Sequence, residues 1–146
     1  MNVIVRKAQV CDIPELFKMN NIINEVNCTV EHMRISLEKH VNEIVLVAIN
    51  DDKAIGFICG QIYPSICYSD GVQCEVTELF VKEEYRKQGV ASKLIAKLEH
   101  EFELNSVQEI LLQTGKKNTV AQKFYEKNGY INSERIVYQK KYYIAK

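Results

Sequence analysis

The segment from Leu79 to Phe102, "LFVKEEYRKQGVASKLIAKLEHEF", changes its periodicity midway, and that change constrains the fold more than any other stretch. The apolar run Leu79-Phe80-Val81 reads as a strand. Two acids, a tyrosine, two bases and a glycine follow, after which Val90, Leu94, Leu98 and Phe102 recur every four residues with Ala91 and Ile95 beside them. Lys93, Lys97 and Glu101 occupy the other side, so an amphipathic helix begins near Gln88 or Gly89. Its first N–H groups have no partner within the helix, and the helix dipole adds partial positive charge there, so the junction favours an anion. Gly89 lacks the Cβ that would hold a phosphate away from those amides, and Ala91 and Ser92 stay small. Arg86, Lys87 and Lys93 supply cationic donors suited to phosphate oxygens. A glycine that merely supports a tight turn, with the bases as a solvated rim, calls for the same residues, and the junction alone does not separate the two.

With 146 residues, the chain is read as a single domain, 1–146, of a size that buries roughly 70% of the surface its unfolded form exposes. Lys plus Arg and Asp plus Glu number 19 each, which leaves no bulk field to gather nucleic acid or an anionic membrane. Neither is expected as a partner. The five cysteines, Cys11, Cys28, Cys59, Cys67 and Cys74, form no CxxC pair and follow no secretory signal, since "MNVIVRKAQV" is charged by its sixth residue. They are read as reduced thiols of a cytoplasmic protein. Apolar runs such as "IVLVAI" are shorter than the about 20 residues that a membrane-spanning helix requires.

Along the chain, "VIVRKA" reads as a strand and "DIPELFKMNNIIN" as a helix with Asp12 as its cap ahead of Pro14. A second helix, "TVEHMRISLEKH", starts at Thr29, whose hydroxyl caps it. "EIVLVAI" and "AIGFICGQIY" flank the polar "NDDK" as a hairpin, and "QCEVTELFV" makes a long further strand. After the helix that ends near Glu103 come a strand "EILLQT", a helix "NTVAQKFYEKN" and a final strand pair in "GYINSERIVYQKKYYIAK". The order β-α-α-β-β-β-α-β-α-β-β mixes antiparallel hairpins with a crossover helix, which implies an α+β sheet covered by helices.

Asn118 and Tyr125 stand seven residues apart, about two helical turns, and so share one face of their helix where both can reach one extended ligand. Asn118 also reads as an N-cap, and Tyr125 as a core aromatic beside Phe124. Residues 86–91, "RKQGVA", fit the pattern Arg/Gln-x-x-Gly-x-Gly/Ala behind a strand and ahead of a long helix. At the matching distance downstream, "NTVAQKFYEKNGY" supplies Asn-(x)6-Tyr and a following Gly-aromatic. In this order the two motifs resemble the GNAT superfamily of acyl-CoA N-acyltransferases. Element order agrees from about Ile4 to Tyr130, while the specific motifs lie within residues 75–130.

The resemblance implies a central mixed, mostly antiparallel twisted sheet of about six or seven strands with about four flanking helices, and an N-acetyltransferase that uses acetyl-CoA as cosubstrate. By position, the backbone of Leu79, Phe80 and Val81 corresponds to the edge that takes the pantetheine arm as an added strand. Arg86 and the amides of Lys87, Gln88, Gly89, Val90, Ala91 and Ser92 correspond to the pyrophosphate cradle, Asn118 to a contact with the coenzyme arm, and Tyr125 to the proton donor for the departing thiolate. Some relatives carry a glutamate five residues before the asparagine. Here that position is Gln113, which cannot take a proton.

Direct transfer needs a neutral amine, and a free alkyl ammonium has a pKa of about 10.4, so a base is wanted. Glu78, with Glu75 nearby, is the candidate: period-two alternation puts Val76, Glu78 and Phe80 on one face, where a carboxylate needs a reason to be partly buried. A salt bridge or a solvated edge would serve as that reason equally well. A backbone N–H near Phe80 is the candidate oxyanion donor.

The loop "YPSICYSDGVQCE", with Asp70, Glu75 and Glu78 in or beside it, makes an acidic rim suited to a small cationic amine such as an aminoglycoside or polyamine. A protein N-terminus or lysine is the alternative acceptor, and a non-catalytic acyl-CoA-binding module is a further reading, motivated by Gln113. His32, His40 and His100 show no metal-ligand spacing, and no metal is expected. Cys59 and Cys74 read as small core residues rather than nucleophiles. Pairing of the tyrosine-rich end "IVYQKKYYI" between two copies is compatible with every reading and would give a homodimer.

Overall fold

The computed structural model describes residues 1–24 and 27–143. These fall into two compact units, Met1–Gln113 and Thr114–Lys146. The first contains β1 (Ile4–Lys7), α1 (Ile13–Ile23), α2 (Val30–Lys39), β2 (Glu43–Asn50), β3 (Lys53–Ser65), β4 (Tyr68–Val81), α3 (Val90–Glu103) and β5 (Val107–Leu112), and the second contains α4 (Thr119–Lys127). The strands form one five-stranded sheet in chain order. It is antiparallel from β1 to β4 and parallel between β4 and β5, where a helix rather than a hairpin makes the connection.

The class is thus α+β with a mixed sheet and four helices, but the sheet has five strands rather than six or seven. The difference lies at the C-terminus. Residues 130–143 of the expected final pair form no ladder, and Ile131, Ile136, Val137, Tyr138, Tyr142 and Tyr143 are exposed; 144–146 lie outside the described residues. Alternating aromatic and branched side chains record a preference for a pleated, half-buried surface, whereas a strand exists only when its backbone finds a partner.

Local chemistry accounts for the other boundaries. Thr29 caps α2 as expected, accepting from the His32 N–H at 3.0 Å. Asp12 does not cap α1 with its side chain. Arg6 donates to both its oxygens, at 2.7 and 3.0 Å, and the Gln9 N–H donates at 2.7 Å. Burial alone would raise this carboxyl, but the hydrogen bonds from Arg6 and Gln9 outweigh it and hold the pKa below the ordinary value. Asp51 and Asp52 adopt left-handed backbone, φ 49° and 61°, as a two-residue turn matched to the twist of its strands requires. The stretch expected as a loop before the long strand is mostly ladder: β3 runs to Ser65 and β4 starts at Tyr68, with Ser65 opposite Tyr68. All five cysteines are free thiols, and among the described residues no helix is long and apolar enough to cross a membrane.

The two sheet faces carry separate cores. Leu16 and Met19 of α1 join Val47, Phe57 and Phe80 on one face. On the other, α3 buries Leu94, Ile95, Leu98 and Phe102 completely, each worth roughly 1.5–3 kcal/mol of transfer free energy. Gly60 permits this approach, because a Cβ there would stand 2.5 Å from Phe102 Cζ and 2.9 Å from Leu98 Cδ1. Gly60→Ala is therefore expected to cost about 1–3 kcal/mol by overpacking, read as a lower urea midpoint with unchanged m value. An unchanged midpoint would mean that α3 does not sit this close.

Candidate active site

Two bulges decide which side chains share the α1 face. Between β3 and β4, Cys59 pairs with Glu78 but Gly60 pairs with Val76, so Thr77 is an extra residue on β4. The alternation breaks there. Val76 turns to the α3 side with Gly60, while Glu78 stays with Cys59 and Phe80 with Phe57 on the α1 side. The expectation that Val76, Glu78 and Phe80 share a face is therefore corrected. The same bulge brings Glu75, opposite Gln61, onto the face of Glu78. Between β2 and β3 a second register shift sits at Ala48/Ile49 and places Glu43 opposite Gln61.

The α1 face consequently has levels. Val47, Phe57 and Phe80 form an apolar level; the next holds Val45, Cys59 and Glu78; the next holds Glu43, Gln61 and Glu75. Gln61 donates to Glu43 at 2.9 Å, and the Tyr63 hydroxyl donates to Glu75 at 2.9 Å. Burial, then Glu43, then Glu78 push the Cys59 thiol well above its ordinary pKa, so it stays protonated and is a poor nucleophile. Cys74 is pushed up to about 11 by burial. Asp70 lies further out on the hairpin, exposed, where the register is irregular. Glu43, Gln61 and Tyr63 were not singled out from the sequence. The only signal for them was the hairpin turn, and the bulge shifts the register that turn sets.

The far end of β4 has an open edge. β5 ends at Leu112 opposite Val76, so among the described residues no strand pairs with Glu78–Val81 on that side. The chain then passes through a 3-10 turn at Glu83–Tyr85 and reaches α3 through Lys87 and Gly89, both at positive φ, 59° and 83°. Gly89 is the N-cap and provides no side-chain cap, no acid sits in the first turn, and a Cβ on Gly89 would meet nothing within 4 Å. The first amides of α3 thus have no side-chain cap, and the space beside the Gly89 Cα is open. Arg86 ties the loop to β4: its Nε donates to the Val81 carbonyl at 2.7 Å, and its guanidinium lies 5.5 Å from the Phe80 ring centroid.

In the second unit, Asn118 caps α4 by accepting from the Ala121 N–H at 3.1 Å. The helix ends in a left-handed Gly129, φ 92°, with Tyr130 N–H donating to Tyr125 C=O at 3.0 Å and Gly129 N–H to Glu126 C=O at 3.1 Å. This is the doubly bonded glycine cap in which the residue after the glycine packs on the last turn. Here that packing is Tyr130 edge-on to Tyr125, with ring centroids 5.9 Å apart, and Phe124 lies edge-on at 5.2 Å. Burial raises the Tyr125 phenol above its ordinary pKa, so at neutral pH it holds its proton. Gln113 is exposed just beyond β5.

An unpaired strand edge running into an uncapped, glycine-led helix terminus fits an extended chain that ends in a pyrophosphate, and coenzyme A has that shape. The class is that of the acetyl-CoA-dependent N-acetyltransferases. The chain belongs to the acetyltransferase (GNAT) family, whose model matches residues 13–130. It is 31% identical over 98 residues, 65% of this chain and 67% of the other, to aminoglycoside N(6')-acetyltransferase type 1 of Salmonella typhimurium. It is 32% identical over 95 residues, 64% of this chain and 61% of the other, to N-alpha-acetyltransferase 30 of Schizosaccharomyces pombe. The structure of AAC(6')-Iy in complex with the bisubstrate analogue CoA-S-monomethyl-acetylneamine superposes with a TM-score of 0.83 over 97% of this chain and 99% of that one. At 20% identity that likeness bears on the fold alone.

Gly129 fixes the last turn of α4 and, with it, the Tyr125–Tyr130 contact. Gly129→Ala is expected to cost about 1–2 kcal/mol, because an L side chain must enter the left-handed region. Thermal unfolding measures this, and a variant as stable as the parent would show that the cap does not hold the turn.

Proposed function

We propose that this chain transfers the acetyl group of acetyl-CoA directly to a primary amine of a small cationic acceptor, an aminoglycoside or a polyamine, with residues 1–146 acting as one catalytic domain. One observation carries the reading: the Thr77 bulge collects Glu75 and Glu78 on the face that also bears Glu43. Half-buried carboxylates on a shared face favour ammonium groups and leave a purely apolar or anionic acceptor without partners. The activity of the Salmonella relative supports it.

In this reading the backbone of Leu79, Phe80 and Val81 takes the pantetheine arm as an added strand. The amides of Lys87, Gln88, Gly89, Val90, Ala91 and Ser92 take the pyrophosphate, with Lys93 contributing charge. Arg86 acts mainly by pinning the loop to Val81, and Asn118 contacts the coenzyme arm through the part of its amide not engaged in the cap. The cosubstrate supplies an activated acyl group on a thiolate leaving group. Glu78 accepts a proton from the ammonium through water, a backbone N–H near Phe80 meets the charge developing on the thioester oxygen, and Tyr125 protonates the thiolate. With a thiol pKa near 8.5 the thiolate is a good leaving group and a weak base, so the donor need only hold its proton until the C–S bond breaks, as the protonated phenol does. The Schizosaccharomyces relative favours a second acceptor class, the amino terminus of a protein. A panel of aminoglycosides, polyamines and peptides decides between them.

Calorimetric titration of acetyl-CoA tests the cradle. Micromolar binding is expected for the wild type, and loss of binding for Gly89→Glu, whose carboxylate repels the phosphates. If the wild type does not bind, the junction is only a turn. Tyr125→Phe is expected to lower kcat by about 100-fold while leaving acetyl-CoA affinity nearly unchanged, followed as thiol release. Since burial raises the phenol, wild-type turnover should hold through pH 9; equal turnover of wild type and variant at every pH would remove the acid role.

A further inference from the structure

No step above uses the cavity at the outer end of the β3–β4 hairpin. It is a solvent-open hollow of about 170 Å³ lined chiefly by Tyr63, Pro64, Ser65, Tyr68, Gln73 and Gln108. Gly71 helps to form it, because a Cβ at that position would collide with the Gln108 side chain and stand 2.8 Å from the Ser106 carbonyl. Gln108 can therefore lie across β4.

The lining contrasts with the neighbouring levels of the same sheet face. Glu78, Glu75 and Glu43 give those levels negative charge, whereas the described residues that line the cavity are uncharged and Glu75 borders it only through its hydrogen bond from the Tyr63 hydroxyl. Its walls instead combine two tyrosine rings and a proline with amide and hydroxyl groups, which both donate and accept. A cation gains little in such a place. A hydroxylated ring gains more, since its C–H faces pack on the aromatic rings while its hydroxyls exchange hydrogen bonds with Gln73, Gln108 and Ser65.

Tyr63 connects the cavity to the acidic levels. Its ring lines the cavity, its hydroxyl donates to Glu75, and its register partner Gln73 lies on the same face as Glu75 and Glu78. Cys59, opposite Glu78, is four residues from Tyr63 along β3, a span of about 13 Å at the usual strand rise.

We propose that this cavity is a distal acceptor subsite that holds an uncharged hydroxylated ring of an acceptor whose reacting amine lies at the level of Glu78. The proposal rests on the acetyltransfer reading above. It narrows the acceptor to a multi-ring amino sugar, since a linear polyamine has no ring to place there.

Steady-state kinetics of the full chain with ribostamycin, whose pentose ring carries hydroxyls and no amine, and with neamine, the same amino sugar without that ring, provide the test. Gln108→Ala is expected to raise KM for ribostamycin by about 10-fold, the effect of losing roughly 1.4 kcal/mol of binding, with kcat unchanged and KM for neamine unaltered. Tyr68→Ala should behave alike, and urea midpoints close to the parent's establish that both variants are folded. Equal shifts with both amines, no shift with either, or a wild type that acetylates neamine but not ribostamycin would overturn the subsite and leave acetyltransfer standing. A wild type that binds acetyl-CoA and acetylates neither amine would overturn the acceptor reading and the subsite with it.

Discussion

One additional residue on β4 governs the site. Thr77 has no register partner on β3, and its insertion reverses the side-chain alternation, since the faces of a strand exchange with every single-residue slip. Were the same sequence a regular strand, Glu78 would share a face with Val76, and seating Val76 against the α3 core would carry the carboxylate there too, where an ionised group is costly. With the bulge, Glu78 joins Glu75 above Cys59 and Gln61, and Val76 keeps its buried place. Pairing with β5 also stops opposite Val76, so the last residues of β4 change neighbours at the same level. One irregularity thus separates the half of β4 that belongs to the core from the half whose edge is open.

The helices build outward from that strand. On the α3 side, Gly60 permits Leu98 and Phe102 to seat directly on β3, which anchors the helix whose N-terminus lies beyond Val81. The left-handed Lys87 and Gly89 turn the chain into that helix without a side-chain cap, leaving donors that a capped helix would have satisfied internally. Arg86 ties down the same loop, its Nε donating to the Val81 carbonyl.

The second unit shows how one short motif can have two uses. Asn118 starts α4 with its side-chain oxygen, and Asn128-Gly129-Tyr130 ends it with a left-handed glycine. Tyr130 then packs against Tyr125. The residues that match the family pattern are therefore also those that start and stop a nine-residue helix, short enough to depend on its caps. A cap role and a ligand role do not exclude one another, because capping engages the Asn118 oxygen and leaves its NH2 group uncommitted.

Read alone, the sequence determined what depends on neighbouring residues: the strand-to-helix junction at Gly89, the Thr29 and Asn118 caps, the Asp51-Asp52 turn and the core stripe of α3. These are set by propensity, capping and periodicity within a few residues. Tertiary structure decided what depends on pairing between distant strands. The Thr77 bulge placed Glu75 and Glu78 together, and the shift at Ala48/Ile49 gave Glu43 the partner Gln61 in place of Gly60, which the turn alone would have selected. Asp12 was lost to a nearer competitor, since Arg6, six residues earlier on β1, claimed the carboxylate assigned to a cap, while the alternation of the tyrosine-rich end found no ladder among the described residues. A strand's faces are defined only by its partner's register, and no local pattern carries that register across the chain.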